Sequence, residues 1–146
     1  MKLIKTISSE EGAKRISMLY SSVPEILRKP AEQANRKIAL PTLAGINFEK
    51  IEEIVSLEAK GNYTWLHFLN NKKVLVCKTL REMENSLRAS NQFIRIHRSF
   101  TINLNLLQKY IKGKGGYVIM EDQSVISVSA GRRQEFMKAL ESYFGF

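Results

Sequence analysis

Aspartate, cysteine and histidine are scarce in this chain: Asp122 is the sole aspartate, Cys77 the sole cysteine, and His67 and His97 the two histidines among 146 residues. Catalysis usually recruits titratable groups in pairs, and metal sites need ligands at set spacings. Neither pattern surrounds these four residues, so no enzyme is expected, and no catalytic, metal-ligating or cofactor-binding residue is assigned. Asp122 sits in Glu121-Asp122-Gln123-Ser124, which reads as a turn between strands. No phosphoacceptor residue is assigned either. One cysteine forms no internal disulfide, and Val74-Leu75-Val76-Cys77 reads as strand with Cys77 a buried, inert thiol. No apolar run approaches the ~20 residues of a membrane helix. The opening Met1-Lys2-Leu3-Ile4-Lys5 lacks the long apolar region of a secretory signal. These absences point to a cytoplasmic protein without a membrane partner. Gly113, Gly115 and Gly116 precede no helix, so they suit a hairpin turn rather than a phosphate cradle.

Positive charge is plentiful and unevenly placed. The net charge is +9, from 23 basic and 14 acidic side chains. Residues 1–58 hold 9 basic and 8 acidic groups, 59–114 hold 11 and 2, and 115–146 hold 3 and 4. The excess therefore falls in the middle stretch. Concentrated cations favour a polyanion through counterion release. Composition alone does not separate that reading from a solvated basic face.

Apolar residues make up 44% of the chain, enough for a core. Ser8 and Glu11 form a capping-box pattern, and Ala13, Ile16, Tyr20, Val23 and Leu27 follow at helical spacing, interrupted by Pro24. Residues 28–37 read as a polar linker. Ile38–Thr42 and Gly45–Phe48 suggest a short hairpin, and Ile51, Ile54, Val55 and Leu57 lead into a further strand. Asn62–Leu69 and Lys73–Cys77 read as strands joined through Asn70-Asn71, residues that tolerate positive φ. Thr79-Leu80-Arg81-Glu82 is a second capping box, opening a helix with Leu80, Met83 and Leu87 on one face and a Glu84–Arg88 pair on the other. Short strands fit Gln108–Lys112, Tyr117–Met120 and Val125–Val128. Ser129 is placed to cap a last helix carrying Phe136, Leu140 and Tyr143 on one side.

The most specific string is Phe93-Ile94-Arg95-Ile96-His97-Arg98-Ser99-Phe100-Thr101-Ile102-Asn103. It resembles the signature of the LytTR family of DNA-binding domains, the output domains of LytR/AlgR-type response regulators. Glu58-Ala59, Gly61-Asn62-Tyr63, Thr79-Leu80 with Leu87, and Val128-Ser129 with the following basic pair fall in the family's order. The resemblance spans about residues 38–142.

The resemblance implies a mainly β fold of small antiparallel sheets with two short helices in residues 38–146, preceded by an N-terminal helix and linker in 1–37. It implies loops and strand ends, rather than a recognition helix, in the DNA grooves. Carried onto this sequence, the implied DNA-binding residues are Lys60, Asn62, Tyr63, Thr64, His97, Arg98, Ser99, Arg132 and Arg133. Arg98 leads, because a guanidinium can donate two parallel bonds to guanine. Each has a plainer reading beside it. Arg98 could sit in a surface salt bridge, His97 could be buried and hydrogen-bonded, Ser99 could bond local backbone, and Tyr63 could be core. Arg132 and Arg133 stand near a helix start, where the dipole disfavours cations and an outside anion would relieve them. The family often places arginine directly after Val-Ser, whereas Ala130-Gly131 intervene here. Asn103 is expected to fix a turn. The implied partners are double-stranded promoter DNA with repeated half-sites, a second copy of the domain on that DNA, and a receiver domain or sensor kinase if the chain is part of a longer regulator. The competing reading is a protein-interaction or self-association module using residues 8–27.

Overall fold

The computed structural model describes residues 36–146, and the expected helix at 8–27 lies outside them. Lys37–Phe146 form one unit. The strands are β1 (Lys37–Pro41), β2 (Ile46–Lys50), β3 (Ile54–Lys60), β4 (Tyr63–Phe68), β5 (Lys73–Val76), β6 (Phe93–His97), β7 (Phe100–Asn103), β8 (Leu107–Ile111), β9 (Tyr117–Met120) and β10 (Val125–Ser127). The α-helices are α1 (Leu80–Ser86) and α2 (Arg133–Phe144). All pairing is antiparallel, in a β1–β2 hairpin, a five-stranded sheet ordered β5-β4-β3-β7-β6, and a three-stranded sheet ordered β10-β9-β8. The expected mainly β architecture with two helices is therefore what forms.

Side chains alternate across a strand, so the central sheet carries two cores. On one face Leu57, Leu66, Phe68, Val74 and Val76 pack with Leu40 of β1 and with Leu80, Met83 and Leu87. On the other, Val55, Ile96 and Ile102 pack with Val118, Met120, Ile126 and Val128 and with Phe136 and Leu140 of α2. The capping box closes α1 as expected: Glu82 N–H donates to Thr79 Oγ1 at 3.2 Å, and Thr79 N–H donates to Glu82 Oε1 at 2.8 Å. The bond from Thr79 N–H, followed by the Thr79 hydroxyl, holds the Glu82 carboxyl below its ordinary value.

Two local details are added, and three local expectations change. Phe100–Asn103 is a strand in its own right, so the signature string is a hairpin, β6-turn-β7, with Arg98 and Ser99 at its tip. The β4–β5 connection uses Leu69–Asn71, with both asparagines at positive φ as their chemistry allows. Ser129 gives no side-chain cap; a 3-10 turn at Ala130–Arg132 intervenes before α2. Cys77 is only half-buried, because it follows the end of β5, and its N–H donates to Pro41 O at 2.8 Å. Arg88 does not pair with Glu84 but donates to Asn85 Oδ1 at 2.7 Å, because the Glu84 carboxylate is engaged on the sheet.

Asn103 fixes a turn, as expected. Fully buried, it donates to Ile54 O at 2.9 Å and accepts from Asn105 N–H at 2.9 Å and Gln92 Nε2 at 3.1 Å. It ties the ends of β3, β6 and β7 together at the edge away from the signature turn.

Candidate nucleic-acid interface

Strand pairing decides which turns share an edge. Lys60 pairs with Tyr63 across the β3–β4 turn, Glu58 pairs with Phe100, and His97 pairs with Phe100. The β3–β4 turn and the β6–β7 turn therefore lie side by side at one end of the central sheet. A bond from Ala59 N–H to Ser99 O at 2.8 Å joins them directly. Val76 pairs with Thr64, so β5 also ends here and delivers Lys78 and the start of α1 to the same rim. With strands about 4.8 Å apart, the five-strand edge is about 19 Å long, enough to span a major groove about 12 Å wide.

Beyond β6, Ser129 N–H donates to Ile96 O at 2.9 Å and Val128 N–H to Gly116 O at 2.9 Å. These bonds bring Arg132, and the β8–β9 turn with Lys112 and Lys114, toward the β6 side of the rim. Gly115 there has φ +71°, which glycine adopts freely. Gly116 has no room for a side chain: a Cβ would stand 2.8 Å from the Tyr110 hydroxyl.

Most residues carried over from the sequence meet at this rim. Lys60, Asn62, Tyr63 and Arg98 are exposed. His97 is half-buried, edge-on to Phe100, and its Nδ1 accepts Ser99 N–H at 3.1 Å. In the neutral ring that bond leaves Nε2–H as the donor. Ser99 uses its backbone N–H and carbonyl to hold the turn, which leaves the hydroxyl without a partner among the described residues.

Thr64 is a correction. It is fully buried on the α1 side of β4, and its hydroxyl donates to Lys78 O at 2.8 Å. The period-two alternation that exposes Tyr63 turns Thr64 inward. Arg132 and Arg133 also separate. Arg132 lines a cleft of about 320 Å³ with Arg81, Glu84 and Arg95, whereas Arg133 does not line it, and its Nε is buried without a partner among the described residues.

The basic stretch of the sequence is not one surface. Lys72 and Lys73 follow the turn at the opposite end of the sheet. Lys72 Nζ is 2.7 Å from Glu49, and Lys73 Nζ stands 4.5 Å over the Trp65 ring. The rim also holds Lys78 and Arg81, which the charge count included in the basic stretch but no motif singled out.

Two acidic groups sit among these cations: Glu82 of the capping box, close enough to Lys78 to feel its charge, and Glu84. Arg95 Nε and Nη2 donate to the two Glu84 carboxylate oxygens at 2.7 and 3.0 Å, and Thr101 Oγ1 donates to Oε2 at 2.6 Å. Burial alone would push the Glu84 carboxyl up. The bonds from Arg95 and Thr101, with the charges of Arg95 and Arg132, outweigh burial and hold it below its ordinary value. Arg95 is thus largely neutralised, while Lys60, Lys78, Arg81, Arg98 and Arg132 have no ion-pair partner among the described residues. No helix among the described residues is long and apolar enough to cross a membrane.

Comparison with known proteins agrees with this geometry. Among solved structures, the fold matches the LytTr DNA-binding domain of a Bacillus cereus protein described as a methyl-accepting/DNA response regulator. The TM-score is 0.61 at 24% identity, covering 71% of this chain and 95% of that one. No curated protein matches significantly. The LytTr DNA-binding domain pattern matches residues 44–141, and the chain belongs to that family.

Proposed function

We propose that residues 38–146 bind double-stranded DNA sequence-specifically, as the output domain of a bacterial two-component transcription regulator in the cytoplasm. One observation carries the reading: two hairpin turns bonded through Ala59 and Ser99 share an edge with five cations that have no ion-pair partner among the described residues, Lys60, Lys78, Arg81, Arg98 and Arg132. Arg98 is the principal base contact, supported by Asn62, Tyr63 and His97 Nε2. Lys60, Ser99 and Arg132 contact phosphates, and Lys78 and Arg81 extend that set. Arg133 lies at the margin. If the chain is part of a longer regulator, residues 1–37 join this domain to its input partner, a receiver domain or sensor kinase. Two copies occupy repeated half-sites in promoter DNA. No catalytic activity is assigned.

The test is an anisotropy titration of duplex DNA across salt. Four cations on phosphates, Lys60, Lys78, Arg81 and Arg132, give a slope of log K against log salt of about −3.6, a roughly 150-fold loss of affinity between 50 and 200 mM salt. A flat salt response, or no DNA affinity at low salt, removes the proposal. The same titration on duplexes selected for tight binding reports stoichiometry, and a one-to-one plateau on all of them removes the two-copy arrangement.

A second reading, a protein-interaction or self-association module, is favoured by one feature. Ile46 and Phe48, on one face of the β1–β2 hairpin, are 62% and 65% exposed, and Leu43 at the turn is 80% exposed. The bond from Cys77 N–H to Pro41 O sets the turn of this hairpin beside Lys78, at one end of the rim.

A further inference from the structure

We propose that Glu84 is a positioning residue for DNA recognition: acting through Arg95 and Thr101, it sets the orientation of the Arg98–Ser99 turn and thereby the discrimination between DNA sequences, without touching DNA. The inference rests on the DNA reading above and adds a residue that opposes DNA by charge.

A carboxylate within a cationic rim repels phosphate, so by charge alone it weakens binding. Its bonds explain its place. The Glu84 fork holds Arg95 by Nε and Nη2, and the remaining nitrogen, Nη1, donates to the carbonyl of Arg98 at 3.0 Å. The same carboxylate takes the hydroxyl of Thr101, 1% exposed and two residues past the turn. One side chain of α1 therefore grips both strands of the β6–β7 hairpin, and a guanidinium that cannot rotate fixes the backbone that carries Arg98. Without it, the turn keeps the Ser99–His97 and Ala59–Ser99 bonds and the His97–Phe100 strand pair. Two parallel base contacts tolerate little angular error, whereas attraction to phosphates tolerates a great deal. Loosening the grip should therefore cost specificity first.

The experiment compares wild type, Glu84→Gln and Thr101→Val on two duplexes of equal length: the tightest binder that wild type selects from a randomised library, and a scrambled sequence. Glu84→Gln is expected to lower the ratio of selected to scrambled affinity by about fivefold or more, the effect of one lost net hydrogen bond. Its affinity for the scrambled duplex should hold or rise, and its salt slope should steepen by about 0.9, because the charge of Arg95 is released. Thr101→Val keeps every charge and nearly the same shape, so it should lower the ratio with no change in slope. An unchanged ratio in both variants overturns the inference, as does an equal loss on both duplexes.

If Glu84→Gln fails to give a cooperative melt, Thr101→Val decides by the same ratio. A readout independent of DNA is amide hydrogen exchange. Glu84→Gln should speed exchange at the Ala59 and Ser99 amides relative to the rest of the sheet. If wild type selects no duplex, the DNA reading fails by itself. Local exchange then still tests the grip, and unchanged protection at those amides overturns it.

Discussion

Arg98→Ala isolates the proposed base contact. Arg98 is exposed and its side chain makes no hydrogen bond among the described residues, while its carbonyl, kept in the variant, still accepts from Arg95. Stability should therefore change by no more than about 0.5 kcal/mol, the range for an exposed site. Binding should respond differently. A bidentate contact to guanine is worth about 1–3 kcal/mol of discrimination, so affinity for a selected duplex should fall roughly 5- to 150-fold. Affinity for a scrambled duplex should fall much less, and the salt slope should become shallower by about 0.9 at most. A phosphate-only role would instead weaken both duplexes equally. Fluorescence anisotropy on both duplexes at two salt concentrations separates the cases, and thermal melting checks the fold. Unchanged affinity for the selected duplex would refute the assignment of Arg98 to the interface.

Three further outcomes concern the framework. Thr79→Ala removes one half of the α1 capping box and should cost about 1 kcal/mol, lowering the melting temperature by about 4–8 °C. Asn103→Ala leaves Ile54 O, Asn105 N–H and the Gln92 amide without their partner inside the fold, so urea denaturation should show a loss of about 3 kcal/mol or more; a loss under 1 kcal/mol would mean that these groups find other partners. Because the folded Glu84 carboxyl titrates below its ordinary value of 4.5, it stabilises the fold above that pH, and this contribution disappears as pH falls through the lowered value. Wild type should therefore exceed Glu84→Gln in stability by more at pH 7 than at pH 3, and an equal gap at both would assign the effect to packing.

What the sequence made legible was local and periodic. Alternation exposed β4 and β9, the Thr79–Glu82 spacing exposed the start of α1, and paired asparagines marked a positive-φ turn. The signature string named Arg98, Ser99 and Asn103, but whether it crossed a turn was hidden, because Ile94, Ile96 and Ile102 carry one apolar rhythm through two strands. Thr64 was carried over from the resemblance as one string with Asn62 and Tyr63, and one residue of register inverts the face. The charge count misled in a related way. It placed Lys72 and Lys73 with Lys60, though a hairpin sends its turn and its open end to opposite edges. Glu84 and Arg95 were invisible as a pair, because 11 residues of sequence and a change of secondary structure separate them.

The proposed rim also bears on why such a domain would use repeated half-sites. Of its proposed base contacts, Arg98 and Asn62 can bond bidentately, and together they supply about 2–6 kcal/mol of discrimination at 1–3 kcal/mol each. Finding one site among about a million competitors takes about 8 kcal/mol. At the middle of its range a single rim therefore falls short by about 4 kcal/mol, and more cations would not close the gap, because they strengthen correct and incorrect sites alike. An edge of about 19 Å has little room for further base contacts without losing the flanking phosphates. Doubling the edge on a second half-site raises the discrimination to about 8 kcal/mol without changing any residue of it. The same arithmetic makes rigidity of the β6–β7 turn consequential, since an orientation error in one copy is repeated in the other.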